Sequence, residues 1–241
     1  MGPYRQPVVV LAVVSLAALA ADSPARADLV LVTSRSALGA TDRLDWGVLG
    51  PPSPTPIPSP FMLTSPGGVG VTVSKPAGSF FRVDEDSTHG GWVGNFGLLD
   101  RLLWTFTDGG PMTLRFSTPV SAGGAQIQPD SFGDFTAKIE AFDPSGTSLG
   151  SFTLPGVSTS AEDNTAIFLG VESDSANIAR LVFSLTAAPP LNPSLNDFAI
   201  NQFDFRVGPA VAAVPEPGGV ALLGLGLVGL IGRAWRRANA R

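Results

Sequence analysis

Two kinds of hydrophobic pattern divide this chain. At its two ends the apolar residues run almost unbroken, and between the ends they alternate with polar ones over short stretches. Alternation with period two is the pattern of a strand with one buried face. It marks nine candidate strands, at 69–74, 79–83, 101–107, 112–117, 135–142, 148–154, 165–170, 178–186 and 198–206. Within 135–142, Phe135, Ala137, Ile139 and Ala141 share one face, with Thr136, Lys138 and Glu140 on the other. Asp143-Pro144-Ser145-Gly146 follows, with proline suited to the second position of a turn and glycine to its end. These four residues predict a hairpin into a strand that carries Leu149, Phe152 and Leu154. Leu181, Phe183 and Leu185 share one side of a later strand. No stretch of the body keeps a helical period between capping residues. The expectation is an all-β fold, an antiparallel β-sandwich over 69–208, with most of the chain's 15 Phe in its core.

The unbroken runs have a different meaning. Arg5 precedes an apolar core of 14 residues, Val8 to Ala21, and Ala25-Arg26-Ala27 fits a small-x-small cleavage site. Residues 1–27 therefore read as a signal peptide cut by signal peptidase after Ala27; the alternative, an N-terminal membrane anchor, suits the short core less well. At the other end, Gly218 to Gly232 gives 15 uncharged residues, about 22 Å as a helix at 1.5 Å per residue. Ala234 and Trp235 extend it into the interface, giving a predicted single transmembrane helix over 218–235. Arg233, Arg236, Arg237 and Arg241 form a basic cluster after it, which places that end in the cytoplasm and the body outside. Six glycines within the span weaken its hydrophobic drive and suit close packing against a partner helix. Pro215 and Pro217 hold Glu216 in an extended segment before the membrane, where an enzyme can read it.

Val214, Pro215, Glu216 and Pro217, the Gly/Leu-rich run and the terminal Arg cluster together resemble the PEP-CTERM sorting signal of exported proteins in exopolysaccharide-making Gram-negative bacteria. That resemblance covers residues 209–241. It implies recognition by an exosortase, a membrane-embedded Cys transpeptidase-like enzyme that removes the tail. It also implies passage through the inner membrane, body outward, to the cell surface or extracellular matrix. A second resemblance lies in the body. Residues 114–128, 137–154, 166–185 and 196–205 look like the jelly-roll common among such proteins, related to galactose-binding-like and carbohydrate-binding modules. In that pattern an Asp usually stands where this chain has Asn201, and Gln202 is a second departure, although Asp197 and Asp204 lie nearby.

Charge changes the picture once the ends are set aside. The 241 residues hold 15 Lys and Arg against 20 Asp and Glu, net −5. Between residues 28 and 214 there are 9 basic and 18 acidic side chains, so the exported body carries −9. Such a surface argues against nucleic acid and attracts cations. Six prolines in 51–60 predict an extended loop, within a segment 28–68 that precedes the sandwich. No Cys is present and His89 is the one His, which excludes disulfide scaffolds, Cys nucleophiles and His-rich metal sites.

The remaining chemistry is sparse, and no catalytic residue is assigned. Carboxylates at Asp84-Glu85-Asp86, Asp130 with Asp134, Glu162-Asp163, and Glu172 with Asp174 lack the context of a hydrolytic pair. His89 has no neighbouring nucleophile signature. Asp84, Glu85, Asp86 and Asp174 are candidate calcium ligands, since oxygen-only acidic loops suit a hard cation, although a solvated acidic face is the plainer reading of them. Among Trp46, Trp92 and Trp104, Trp92 sits in a glycine-rich loop and is the candidate for an exposed ring touching a glycan, whereas Trp104 falls in a strand and reads as core. The resulting expectation is a non-catalytic envelope or matrix component. A carbohydrate-binding module for exopolysaccharide is the alternative, and an exported glycan hydrolase the remoter one.

Overall fold

The computed structural model describes residues 28–52, 56–89, 91–107, 109–192 and 194–208. In chain order the strands are β1 (Leu29–Val32), β2 (Asp42–Leu44), β3 (Ile57–Pro58), β4 (Phe61–Thr64) and β5 (Gly70–Ser74). There follow β6 (Ser79–Asp84), β7 (Arg101–Trp104), β8 (Met112–Val120), β9 (Ala122–Pro129) and β10 (Gly133–Phe142). The last are β11 (Ser148–Ser158), β12 (Ile167–Ser173), β13 (Ile178–Ala187), β14 (Phe198–Ile200) and β15 (Phe203–Arg206). They form two antiparallel sheets. The larger runs β1-β12-β9-β14-β7-β6-β3, with β15 bridging β9 and β2, and the smaller runs β11-β10-β13-β8-β5-β4. Among the described residues no helix is long and apolar enough to cross a membrane. The expected signal peptide, with Ala25 and Ala27, and the expected span at 218–235 lie outside the described residues.

Side-chain alternation builds the core as anticipated. Phe135, Ala137, Ile139 and Ala141 of β10 are buried, and the Asp143–Gly146 turn joins it to β11 in a register that sets Ile139 opposite Phe152. The turn is fixed locally. Gly146 adopts φ +86° and donates to the Asp143 carbonyl at 3.0 Å, while the Asp143 carboxylate accepts from Thr147 N at 2.9 Å. Leu181, Phe183 and Leu185 of β13 face the same core. Across it stand Ile127, Val171, Phe198, Phe203 and Phe205 of the larger sheet. Phe203 stacks near Phe116 (6.0 Å, 28°) and meets Phe183 edge-on (6.2 Å, 89°), so aromatic contacts tie the sheets together.

Residues 28–68, read from sequence as a segment preceding the sandwich, are part of both sheets. β1 pairs β12, β2 pairs β15, β3 pairs β6 and β4 pairs β5. Among the described residues of the proline-rich stretch, Ile57 and Pro58 pair, at a sheet edge, where proline's missing N–H is harmless.

Two further elements differ from the pattern-based expectation. The stretch 198–206, expected as one strand, breaks at Asn201-Gln202. There Asn201 Oδ1 accepts from Arg35 (2.8 Å) and Gln126 N (3.1 Å), while its Nδ2 donates to Asp100 (2.9 Å) and to Gln126 Oε1. All four hydrogen-bonding capacities of the amide are filled. A carboxylate at this position has no N–H to give and would face Asp100, which accounts for Asn rather than Asp.

The other element, β9, is missing from the nine strands that alternation predicts, although the jelly-roll resemblance covers residues 114–128. Its sequence, AGGAQIQP, offers little β signal, yet all eight residues are buried at the centre of the larger sheet. Gly124 lies opposite Gly170 of β12, and a Cβ on Gly124 would come within 2.6 Å of the Gly170 Cα. The close approach is backbone against backbone, so no side chain can turn aside to make room. Gly124→Ala is therefore expected to destabilise the sandwich by about 1–3 kcal/mol, lowering the melting temperature by roughly 2–10 °C. Circular-dichroism melting checks it against Thr118→Ala, a change at an exposed site of β8; equal melting temperatures for the two would refute the close-packing account.

Candidate functional site

Between β6 and β7 the chain leaves the larger sheet and crosses its outer face as a loop, residues 85–100. Glu85 anchors both ends of it. Its N–H donates to the Asp100 carbonyl and its carbonyl accepts from Leu99 N, each at 2.9 Å. Its carboxylate accepts from Gly94 N at 2.6 Å. Asn95 binds the loop to a neighbouring one, donating to Thr159 (2.7 Å) and Thr165 (3.1 Å) and accepting from Thr159 N (2.6 Å). The sheet holds the loop through Gln128 of β9, whose Oε1 accepts from Asn95 N at 2.7 Å and whose Nε2 donates to Ser158 at 2.6 Å. A Cβ on Gly94 would press on the Gln128 amide and the Trp92 indole, so a side chain there would have to displace the Gln128 group that holds the loop.

Under the loop lies a second, smaller core of Trp92, Phe96, Leu102, Ala166 and Ala199, with Val83 and Trp104 packed against it. This corrects the reading of Trp92 as an exposed ring, because it is 5% exposed. Gly91 and Gly94 beside it serve close packing instead of projecting it. The two tryptophans meet edge to face, 5.5 Å apart at 79°. Trp104, expected in the core, is half-buried at the boundary. Its Nε1 donates to Asp197 at 2.6 Å.

Beside this pair opens a cleft of about 230 Å³ lined by Val83, Trp92, Val93, Trp104, Asp130 and Phe132. Three parts of the chain build it. The sheet supplies Val83 and Trp104, the 85–100 loop supplies Trp92 and Val93, and the β9–β10 turn supplies Asp130 and Phe132. Phe132 stands at 53% exposure. Desolvation raises the pKa of Asp130. Asp197, fully buried behind Trp104, is pushed up to about 6 by burial, opposed by the Trp104 hydrogen bond and reinforced by the charge of Asp130. Asp130, Phe132 and Asp197 were not singled out from the sequence as ligand contacts; an aromatic set between Ser131 and Gly133 in a strand-joining turn is the signal that marks Phe132.

The four candidate calcium ligands are not brought together. Asp84 pairs with Arg82 at 2.6 Å, and Glu85 is fully buried within the loop anchor. Asp86 accepts from the Thr88 hydroxyl (2.7 Å), which holds it below the ordinary carboxylate range, and faces the exposed His89 at 2.8 Å. Asp174 follows β12 on another loop, its N–H donating to the Asp28 carbonyl. Among the described residues no group of three or more His, Asp or Glu side chains is placed to hold a metal. Of the other acids, Glu172 pairs with Arg206 and Asp163 accepts from Thr165 and Asn95.

The sorting residues Val214 to Pro217 and the cluster Arg233, Arg236, Arg237 and Arg241 lie outside the described residues, and sequence comparison speaks for them. The PEP-CTERM protein-sorting motif matches residues 213–237. It implies an exported protein sorted by an exosortase. No curated protein matches the chain. Among solved structures, a DUF4465 family protein from Bacteroides caccae is similar at 10% identity, over 73% of this chain and 98% of that one, with a TM-score of 0.37. CsCBM6-3 from Clostridium stercorarium, solved in complex with cellobiose, is similar at 14% identity, over 63% of this chain and 84% of that one, with a TM-score of 0.21.

Glu85 makes the loop anchor sensitive to pH. Burial pushes its pKa up to about 7, with Glu162 and Asp100 adding to the rise and the Gly94 and Phe96 amides opposing it. Its second oxygen has no hydrogen-bond partner. A raised carboxyl pKa means that the folded state favours the protonated form. The penalty is absent below the ordinary value of 4.5, grows through the interval up to about 7, and is complete above it. Glu85→Gln is expected to stabilise the protein at pH 8 by on the order of 1–3 kcal/mol and to leave it little changed at pH 4. Thermal melts at the two pH values check this. Equal shifts at both would assign the effect to packing instead of ionisation.

Proposed function

We propose that this chain is an exported, non-catalytic component of the cell surface or extracellular matrix, delivered by exosortase processing and acting through its β-sandwich body. The observation that carries the reading is the ordered tail: a PEP motif, an apolar run and a basic end within the matched segment 213–237. A signal peptide at one end and a sorting tail at the other define a body that works outside the cytoplasm. That body carries −9, lacks Cys, and engages most of its candidate acids in ion pairs or hydrogen bonds that shape loops. This composition favours a scaffold or binder in a biofilm-associated matrix over an enzyme. A second reading, a carbohydrate-binding module for exopolysaccharide, is favoured by one observation, the aromatic cleft beside Trp104.

Intact-mass measurement of the exported form tests the first reading. The expected species begins at Asp28 and ends near Pro215–Pro217, without the Arg cluster. Replacing Pro215-Glu216-Pro217 by three alanines should leave the tail attached and the protein in the inner membrane. Persistence of Arg233 to Arg241 on surface-located wild-type protein would overturn processing and assign a permanent anchor instead.

A further inference from the structure

The cleft beside Trp104 has a composition that narrows what can enter it. Its walls are aromatic or aliphatic except for the Asp130 carboxylate. Trp104 offers ring carbon instead of its N–H, because Nε1 is already committed to the buried Asp197. The indole is fixed from behind by edge contacts with Trp92 at 5.5 Å and Phe106 at 4.7 Å. Phe132, on the turn that forms the facing wall, is the most exposed ring in the cleft. Such a site is preorganised, so little side-chain freedom is lost when it fills.

Charge and size act together. Asp130 accepts no side-chain hydrogen bond from the described residues, and its surroundings resist a bare charge. Asp130 faces the cleft and the body carries net −9, so an anionic ligand is repelled even though Lys75 partly offsets the charge of Asp197. A purely apolar ligand would bury the carboxylate with nothing to satisfy it, which is costly. The matching ligand has an apolar face for the rings and hydroxyl or amine donors for Asp130. At about 230 Å³ the cleft lies below the range of roughly 300–1,000 Å³ typical of drug-sized sites, so one ring fills it.

We propose that this cleft binds a single pyranose unit of a polysaccharide free of acidic groups, stacked against Phe132 and Trp104 and donating hydrogen bonds to Asp130. The inference rests on the reading of the body as an extracellular binder and names the site and ligand class. Sugar rings present C–H groups on their faces and hydroxyls at their rims, which is the division of surface this cleft accepts. Because one unit is held, affinity for a single site is modest, and a polymer gains retention by offering many units in sequence.

Affinity electrophoresis of the full chain in detergent, through gels containing soluble β-glucan, galactomannan, chitosan or polygalacturonate, tests the proposal. Retardation is expected in at least one of the first three gels and not in polygalacturonate. Phe132→Ala and Asp130→Asn should each weaken the retarding interaction at least tenfold. Met62→Ala, at an exposed position on the opposite sheet, should leave it unchanged. Thermal melts of the variants within about 2 °C of the parent separate lost contact from lost fold. No retardation in any of the three gels, retardation that survives both cleft substitutions, or retention in polygalacturonate alone would overturn the proposal. Surface delivery of Phe132→Ala, followed by fractionation, separates the two readings: a variant that is sorted but does not bind removes only the wild-type cleft's contact, whereas an unprocessed wild-type tail refutes the sorting account and leaves the gel result standing.

Discussion

Everything in the body depends on β9 being buried on both faces. One face of this strand looks into the inter-sheet core through Ala125 and Ile127. The other would expose its backbone and its glutamines to water if the two loops at 85–100 and 159–166 did not lie across it. Gln126 and Gln128 answer that constraint, reaching out to Asn164, Ala166, Asn95 and Ser158. A buried amide must find partners, and here its partners are the loops themselves. The strand that closes the sandwich therefore also positions the walls of the cleft.

Several buried polar groups of the described residues lack a full set of partners, and some of them lie around the loop and the cleft. Glu85 and Asp197 each keep one buried oxygen without a hydrogen-bond partner, and both lie next to the cleft or to the loop that forms it. The inter-sheet core, in contrast, is a contiguous set of aliphatic and aromatic side chains. Each such polar group is a local penalty that the rest of the fold must outweigh.

What the sequence made legible follows from periodicity. β10, β11 and β13 were readable because each buries one face and alternates, and the Asp143–Gly146 turn carries its own chemistry. β9 was illegible for the opposite reason. Buried on both faces and pressed against Gly170, it needs glycine where a strand signal would need a branched side chain. The break at Asn201 was hidden because the hydrophobic residues continue on either side of it, while its cause is a set of partners up to 166 residues away. The cleft was half legible. The glycine-rich loop around Trp92 signalled an irregular segment, but the same glycines serve equally to bury an indole or to display one. Only the packing of Gly94 against Gln128 decides between them. Phe132 drew no notice in a chain with 15 Phe, since exposure is a property of the turn and not of the residue.

The edges of the two sheets bear on life outside the cytoplasm. Without Cys the body has no disulfide to hold its fold. Stability then comes from the core, and unpaired strand edges are the main hazard for association with other chains. Pro58 lies in edge strand β3 of the larger sheet, and Pro155 lies in the long edge strand β11 of the smaller one. Each removes a backbone donor from a face that would otherwise invite another strand. The same logic applies to charge, since a body at −9 repels its own copies when many are set side by side on one surface. Proline at the edges and acid over the surface both keep neighbouring copies apart. Under the proposed reading, the aromatic cleft on the outer face of the larger sheet is the place where attraction is built in.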